Sequence, residues 1–175
     1  MQQPTKTTKK RKKRTITKLL KNKKFLGRII KEKNSSNRKI NLNHLIIHMT
    51  SQLDKNKNTA IAFYKMAYEG NPRKAVKLYI GRKYIQHNPL VGDGIKPFIE
   101  YFEKMAEEFP EKSIEFVHAI AEGNLVALHT HQIWPGEEEY VTMDFFRFNK
   151  KGKIVEHWDS IQIIPKEFAH NNSMY

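Results

Sequence analysis

The spacing of apolar residues changes at Pro110, and this change constrains the fold more than any other feature of the chain. Before Pro110, apolar side chains recur about every 3.6 residues, which is the period of a helix. After it, they alternate with a period of two in four segments, at 114–122, 125–134, 139–148 and 153–164. Short turn signals such as Gly123-Asn124 separate the segments. The pattern predicts four strands joined by consecutive antiparallel hairpins.

Helices are predicted ahead of the strands. Apolar residues at helical spacing indicate helices over residues 59–69, 71–80 and 95–109. Asn58 or Thr59 is expected as the first N-cap, and Pro72 suits the first turn of the second helix. Residues 84–89 are predicted to be a short extended segment. Three helices followed by a meander predict an α+β fold, with the helices packed on one face of a curved sheet.

Charge divides the chain at Met49. Residues 1–48 carry 16 Lys and Arg with one acidic residue, a charge of +15, whereas residues 49–175 carry −1. The whole-chain charge of +14 therefore comes from residues 1–48, and the rest of the chain is nearly neutral. Residues 9–14 are six consecutive cations, which we expect to be disordered. We predict a basic, low-complexity and disordered leader over 1–48 and an α+β domain over 49–175.

The leader allows four interpretations: a nuclear-localisation or RNA-binding arm, an organellar targeting leader, a membrane-surface helix, or an inert extension. We favour the last and hypothesise that the functional protein starts at or near Met49. A weak polyanion contact through residues 1–48 is compatible with this, whereas no nucleic-acid or membrane contact is expected for the domain. No apolar run reaches the roughly 20 residues of a bilayer span, and the run at residues 45–47 is too short for a secretory signal. We therefore predict a cytoplasmic protein.

The turns predict a register. Pairing Glu122 with Leu125 places His118 opposite His129, and a four-residue loop at 135–138 places His129 opposite Asp144. In the last hairpin, a glycine bulge would place Asp144 opposite Trp158, and a simple turn would place it opposite His157. The first choice aligns His118, His129 and Asp144 in one row among aromatic side chains.

An inward-facing Asp144 would require a partner, because desolvating a carboxylate is costly. Burial would raise its pKa and an adjacent imidazole would lower it, which suits a general acid/base. The alternative is that Asp144 and His129 satisfy each other in a packed interior. A metal set of His129, His131 and Asp144 is a weaker alternative, since paired histidines on a strand more often line a pocket. We expect no metal and no cofactor.

Both faces of the predicted sheet are too apolar for one of them to face water. Three helices can cover only one face. We therefore predict that a second copy of the chain covers the other, forming a homodimer.

Five stretches form a combination that is more specific than any one of them: Tyr84–Pro89, the helix after Gly94, Ala121–His129, Val141–Phe148 and Gly152–Asp159. Together they resemble the SnoaL-like polyketide cyclase family of the nuclear transport factor 2-like superfamily. The resemblance spans about residues 56–165, and the leader has no counterpart in it.

The resemblance implies a cone-shaped α+β barrel, usually dimeric, with a pocket at its open end. It implies that Asp144 acts as acid/base in an intramolecular aldol condensation without a metal, and His129 is our candidate for its catalytic partner. The residues expected to line the pocket and bind a small hydrophobic carbonyl compound are Gln86, His87, Asn88, His118, His131 and Trp158.

Two functional interpretations follow. The first is a small cofactor-independent enzyme of the aldol cyclase or isomerase type, in which Asp144→Asn abolishes turnover and preserves the fold. The alternative is a non-catalytic module that binds a small molecule or dimerises on the same scaffold.

Overall fold

The computed structural model describes residues 42–136 and 138–175, with side chains from residue 51 onward. The expectations for residues 1–41, including their disorder, lie outside the described residues, and a start near Met49 stays a prediction. Residues 42–48, the last part of the predicted disordered leader, are helical, so disorder is the wrong expectation there. The described helices are α1 (Leu42–Tyr68), α2 (Pro72–Tyr79) and α3 (Ile95–Glu108). The strands are β1 (Ile80–Gln86), β2 (Ser113–Glu122), β3 (Leu125–Ile133), β4 (Glu139–Phe148) and β5 (Ile154–Ile163). Among these described elements, no helix is long and apolar enough to cross a membrane.

Helix α1 is longer than predicted. It passes through Asn58 and Thr59, so the expected N-cap there is wrong. The polar residues upstream find partners within the helix: Gln52 Nε2 donates to Asn56 Oδ1 at 2.9 Å, and Lys57 Nζ lies 2.9 Å from Asp54 Oδ1. Such pairs three and four residues apart favour continuation of a helix through a polar stretch.

The strands form one open sheet in the order β1-β5-β4-β3-β2. The predicted hairpins β2–β3, β3–β4 and β4–β5 are confirmed as antiparallel. Of the extended segment predicted at 84–89, residues 84–86 form the end of a longer strand, β1, which pairs with β5 in parallel, and residues 87–89 lie beyond that strand. The α+β class is confirmed, but the described strands do not close into a barrel, because β1 and β2 remain at opposite edges.

The helices cover one face of the sheet, here called the inner face. Phe63 of α1 stacks on Phe98 of α3 with 5.2 Å between ring centroids and meets Phe146 of β4 edge-on at 6.0 Å. All three rings are buried. Burying each contributes about 2 kcal/mol to stability. The opposite, outer face carries half-exposed Met143 and Phe145.

Two β-bulges change the predicted pairing. His118 lies opposite His129 as expected, but the extra residue Val117 places Phe116 opposite Thr130. In β5 the predicted turn pairs Phe148 with Ile154, and the extra residue Val155 then shifts every later pair. Each bulge reverses the faces of the residues beyond it relative to an unbulged strand.

The loop between β3 and β4 is also one residue longer than predicted, because Ile133 pairs with Glu139 in place of Trp134. Trp134 leaves the strand and packs against Phe109 at 5.2 Å. Asp144 consequently lies opposite Leu128, not His129. The expected row of His118, His129 and Asp144 is therefore wrong.

The last hairpin differs as well. Asp144 lies opposite Asp159, and neither of the two predicted partners, Trp158 and His157, holds that position. His157 instead lies opposite Phe146 on the inner face. The strand β5 thus turns His157 and Asp159 toward the helices.

Candidate functional site

A small cavity lies between the inner face of the sheet and helices α1 and α3. Its polar lining groups come from Tyr64, Gln86, Asn88, Gln132, Thr142, His157 and Asp159. Its apolar walls are mainly aromatic, from Tyr68, Tyr101, Phe102 and Trp134. The cavity volume is about 40 Å³, which is the room of a few water molecules. A molecule larger than a few waters therefore fits only when lining side chains move aside.

A directed chain of hydrogen bonds runs along one wall of the cavity. The indole Nε1 of Trp134 can only donate, which orients the amide of Gln132 with Oε1 as acceptor at 3.3 Å. The Nε2 of Gln132 donates to Thr130 Oγ1 at 3.2 Å, and the hydroxyls of Thr130 and Thr142 lie 2.6 Å apart. Thr142 donates to Asp144 Oδ2 at 2.5 Å. Because Thr142 has one hydroxyl hydrogen, Thr130 is the donor between the two threonines.

The second oxygen of Asp144 meets a histidine whose tautomer is determined by its other neighbour. Gln86 Oε1 accepts backbone N–H groups from His87 at 2.9 Å and Asn88 at 3.0 Å, so it is an oxygen. His157 Nδ1 lies 3.0 Å from this oxygen and must donate to it. His157 Nε2 lies 3.0 Å from Asp144 Oδ1. One proton is therefore shared between Nε2 and that carboxylate oxygen.

Asp159 is the carboxyl group at the cavity surface. It lines the cavity, whereas Asp144 is fully buried and does not. Asn88 Nδ2 donates to Asp159 Oδ2 at 2.7 Å. Burial raises the pKa of Asp159, the hydrogen bond from Asn88 and the charge of His157 lower it, and the charge of Asp144 raises it further. Its pKa is raised on balance, which suits a carboxylate that takes up and releases a proton.

Tyr64 of α1 faces the same cavity and is buried. Burial raises its pKa well above that of a free phenol, and the charges of Asp144 and Asp159 raise it further. Gln132 Nε2 donates to its hydroxyl oxygen at 3.2 Å, which leaves the phenolic hydrogen as a donor. The cavity thus pairs a proton acceptor, Asp159, with a neutral hydrogen-bond donor.

Only part of the predicted site lies here. Gln86 and Asn88 line the cavity as expected. Asp144 is buried as expected, but behind the cavity wall and paired with His157, not with His129. The structure therefore separates the two predicted catalytic residues onto opposite faces of the sheet.

The remaining predicted residues lie on the outer face. His118 Nδ1 lies 3.2 Å from His129 Nδ1, and His131 Nε2 lies 2.8 Å from Glu139 Oε2. His87 stacks on Trp158 at 4.8 Å. For the histidines of β2 and β3 and for Trp158, the one-residue register differences explain the separation from Asp144, because each difference exchanges the faces on which side chains lie. His87 lies beyond the end of β1 and follows Trp158.

The sequence analysis missed Asp159, His157, Tyr64 and Gln132. A period of two in β5 places His157 and Asp159 on one face, so their spacing indicated a shared location. The pattern did not show which face, because the bulge at Val155 decides it.

The described residues also bring together one group with metal-ligand chemistry. Asp144, His157 and Asp159 each offer a ligand atom, and these atoms lie within 4.8 Å of one another. The predicted set of His129, His131 and Asp144 is not assembled, because Asp144 lies on the other face. A cation bound to Asp144 Oδ1 and His157 Nε2 would displace the proton that these two atoms share.

Comparisons with known proteins agree with this architecture. The family model described as a SnoaL-like domain matches residues 60–157, more than half of the chain. No curated protein matches the chain. Solved structures are similar at low identity. TsrD from Streptomyces laurentii is 18% identical, with a TM-score of 0.52, covering 61% of this chain and 87% of its own.

Two further structures carry functional descriptions. IdmH from Streptomyces antibioticus, a proposed polyketide cyclase, is 18% identical with a TM-score of 0.51, covering 61% of this chain and 91% of its own. A proposed isomerase of the SnoaL-like family from Agrobacterium tumefaciens is 18% identical with a TM-score of 0.53, covering 61% of this chain and 97% of its own. At this identity the likeness shows the fold.

Proposed function

The chain belongs to the SnoaL-like family, and on that premise we propose that it is a cofactor-independent enzyme that moves protons on a small carbonyl compound. The reaction would be of the aldol cyclase or isomerase type, the two activities for which similar structures are described. One observation carries the proposal: a carboxyl group of raised pKa, Asp159, lines a cavity that also presents the neutral hydroxyl of Tyr64.

Asp159 and Tyr64 are sufficient for the proton transfers of both reaction types. The Asp159 carboxylate takes a proton from the carbon next to the substrate carbonyl, and the carbonyl oxygen becomes an enolate oxygen. The Tyr64 hydroxyl donates a hydrogen bond to that oxygen, where negative charge develops. In an isomerase the proton returns to another carbon. In a cyclase the enolate carbon bonds to a second carbonyl carbon of the same molecule, and the proton goes to the new alkoxide.

We propose that Asp144 is a positioning residue in this reaction. It does not line the cavity, but its contact with His157 Nε2 and the Gln86 contact on Nδ1 hold the imidazole on both sides. His157 lies next to Asp159 along β5 and its charge lowers the pKa of that carboxyl. The buried pair of Asp144 and His157 thus adjusts the proton affinity of the Asp159 carboxylate. The hydrogen bond from Asn88 holds the orientation of that carboxylate.

Hydrogen exchange tests the proposal with a panel of compounds in place of one chosen substrate. The full-length protein is incubated in D₂O with small ketones, β-keto esters and diketones, and products are followed by mass spectrometry. We expect deuterium at the carbon next to a carbonyl for at least one compound, beyond the rate in buffer. Compounds that bind, seen by calorimetry, without exchange or product would contradict catalysis and support the binding module.

We also propose a homodimer formed through the outer face. Ile120 of β2 is 66% exposed there, and Met143 and Phe145 of β4 are half-exposed on the same face, on the other side of β3. His129 Nε2 on this face is buried and has no hydrogen-bond partner among the described residues. An apolar surface of this kind is typical of a contact between subunits.

A charge on this face should prevent assembly. We expect the parent protein to sediment as a dimer and Phe145→Asp as a folded monomer, because a carboxylate would be desolvated at the contact. Leu78→Asp is the matched control, since Leu78 is 42% exposed but lies on α2. A monomeric parent, or dissociation by both variants alike, would contradict the proposal.

A further inference from the structure

A second and larger cavity lies away from the proposed site, between helix α1 and the turn that joins β4 to β5. Its volume is about 560 Å³, within the range of small-molecule sites. The lining residues that matter here are Gln52, Lys55, Asn56, Tyr79, Lys150 and Lys151. We call it the lysine groove. It shares no lining residue with the cavity of Asp159.

The groove carries uncompensated positive charge. Lys55, Lys150 and Lys151 are exposed, and none of the residues that line the groove is acidic. Other lysines of α1 have acidic partners: Lys57 pairs with Asp54 and Lys65 with Glu69. The three groove lysines form no ion pair with any residue that the structure describes.

Two amides add polar groups to the wall of the groove. Asn56 is 4% exposed, and a hydrogen bond of 2.9 Å joins its side-chain amide to that of Gln52. Both residues line the groove. Side-chain amides carry N–H₂ groups, which donate to ligands that accept hydrogen bonds.

We infer that the lysine groove binds a phosphate-bearing small molecule of nucleotide size. Lysine ammonium groups bind phosphate oxygens as point charges, and amide N–H groups donate to the same oxygens. Tyr79 also lines the groove, so one aromatic side chain is available there for contact with a planar group. A carbonyl compound without a phosphate would leave the three charges unmatched, so this ligand differs from the proposed substrate.

Adenosine 5′-monophosphate and adenosine are the probes, and the full-length protein is titrated with each by calorimetry at low salt. The leader carries +15 and attracts anions by itself, so the test depends on charge-matched variants. Lys55→Gln/Lys150→Gln/Lys151→Gln removes the groove charges. Lys74→Gln/Lys77→Gln/Lys166→Gln removes three lysine charges outside the groove.

We expect the monophosphate to bind the parent protein at least ten-fold more tightly than adenosine does. The groove variant should lose about ten-fold in affinity and the control less than two-fold, with backbone amide shifts concentrated at Lys151 and Gly152. Equal losses in the two triple variants, or equal binding of the two probes, would overturn the inference.

A single-stranded oligoribonucleotide is titrated as a third probe, because its backbone carries phosphate groups that could bind the same lysines. If the groove substitutions weaken only the binding of the oligonucleotide, and the monophosphate does not bind, the ligand of the groove is a nucleic-acid strand. The inference of a small-molecule ligand is then wrong. Tighter monophosphate binding that depends on the groove lysines supports it, whatever the outcome of the carbonyl reaction.

Discussion

Asp159→Asn should lower kcat/KM for the carbonyl substrate by about 10²–10⁴-fold, which is the usual contribution of a positioned general base. Asparagine keeps the size of the side chain and its contact with Asn88 but cannot accept a proton from carbon. Steady-state kinetics with the compound found by hydrogen exchange would measure the loss. Asp54→Asn is the matched control, because Asp54 lies on α1 and does not line the cavity.

The same variant should be at least as stable as the parent protein at neutral pH. The folded-state pKa of Asp159 is raised, so its contribution to stability is fully present below the unfolded pKa and is lost as the pH rises through the folded pKa. At pH 7 the ionised group disfavours folding, and asparagine removes that charge.

The pH dependence of activity follows from the same shift. Parent kcat/KM should fall as the pH drops through the raised pKa, because the base becomes protonated. A large drop in melting temperature for Asp159→Asn, or unchanged turnover, would contradict the proposed role.

Asp144→Ala should destabilise the protein by about 3–5 kcal/mol, because it leaves one member of a buried pair without its partner. Thr142 would lose its acceptor and His157 Nε2 would face a void. Asp144→Asn should cost only about 1 kcal/mol. The introduced amide can accept from Thr142 and donate to His157 Nε2, since His157 already carries its hydrogen on Nδ1.

Denaturant unfolding of the two Asp144 variants measures this difference. Equal destabilisation by alanine and asparagine would contradict the assigned directions of the hydrogen bonds. Steady-state kinetics of Asp144→Asn, which should fold stably, distinguishes the roles of the Asp144 and Asp159 carboxylates. A greater loss of turnover for Asp144→Asn than for Asp159→Asn would assign the base to Asp144.

Local patterns predicted most of the elements. Helix α3 ends before Pro110, and β4 has the predicted bounds. The turn before β5 also forms as expected, with the Asn149 N–H donating to the Lys153 carbonyl at 2.8 Å and Gly152 at φ +70°. These features depend on residues close in sequence, so their signals are local.

The site was less predictable, because it depends on which face each strand residue occupies. The long loop that admits Trp134 depends on its packing against Phe109, which is distant in sequence. The parallel pairing of β1 with β5 is also non-local, and it brings Gln86 to His157. An acidic residue in an apolar strand indicated Asp144, but nothing local distinguished its partner His157 from His129.

One inserted amino acid in β5 determines where the acidic chemistry of this protein lies. Beyond Val155, an uninterrupted alternation would direct Glu156 and Trp158 toward the helices and expose His157 and Asp159 to solvent. A relative that lacks this residue could keep both side chains, and nearly the same sequence, without a carboxylate at the cavity between the sheet and the helices. When homologous chains are compared, the length of this strand is therefore as informative about activity as the identity of its aspartate.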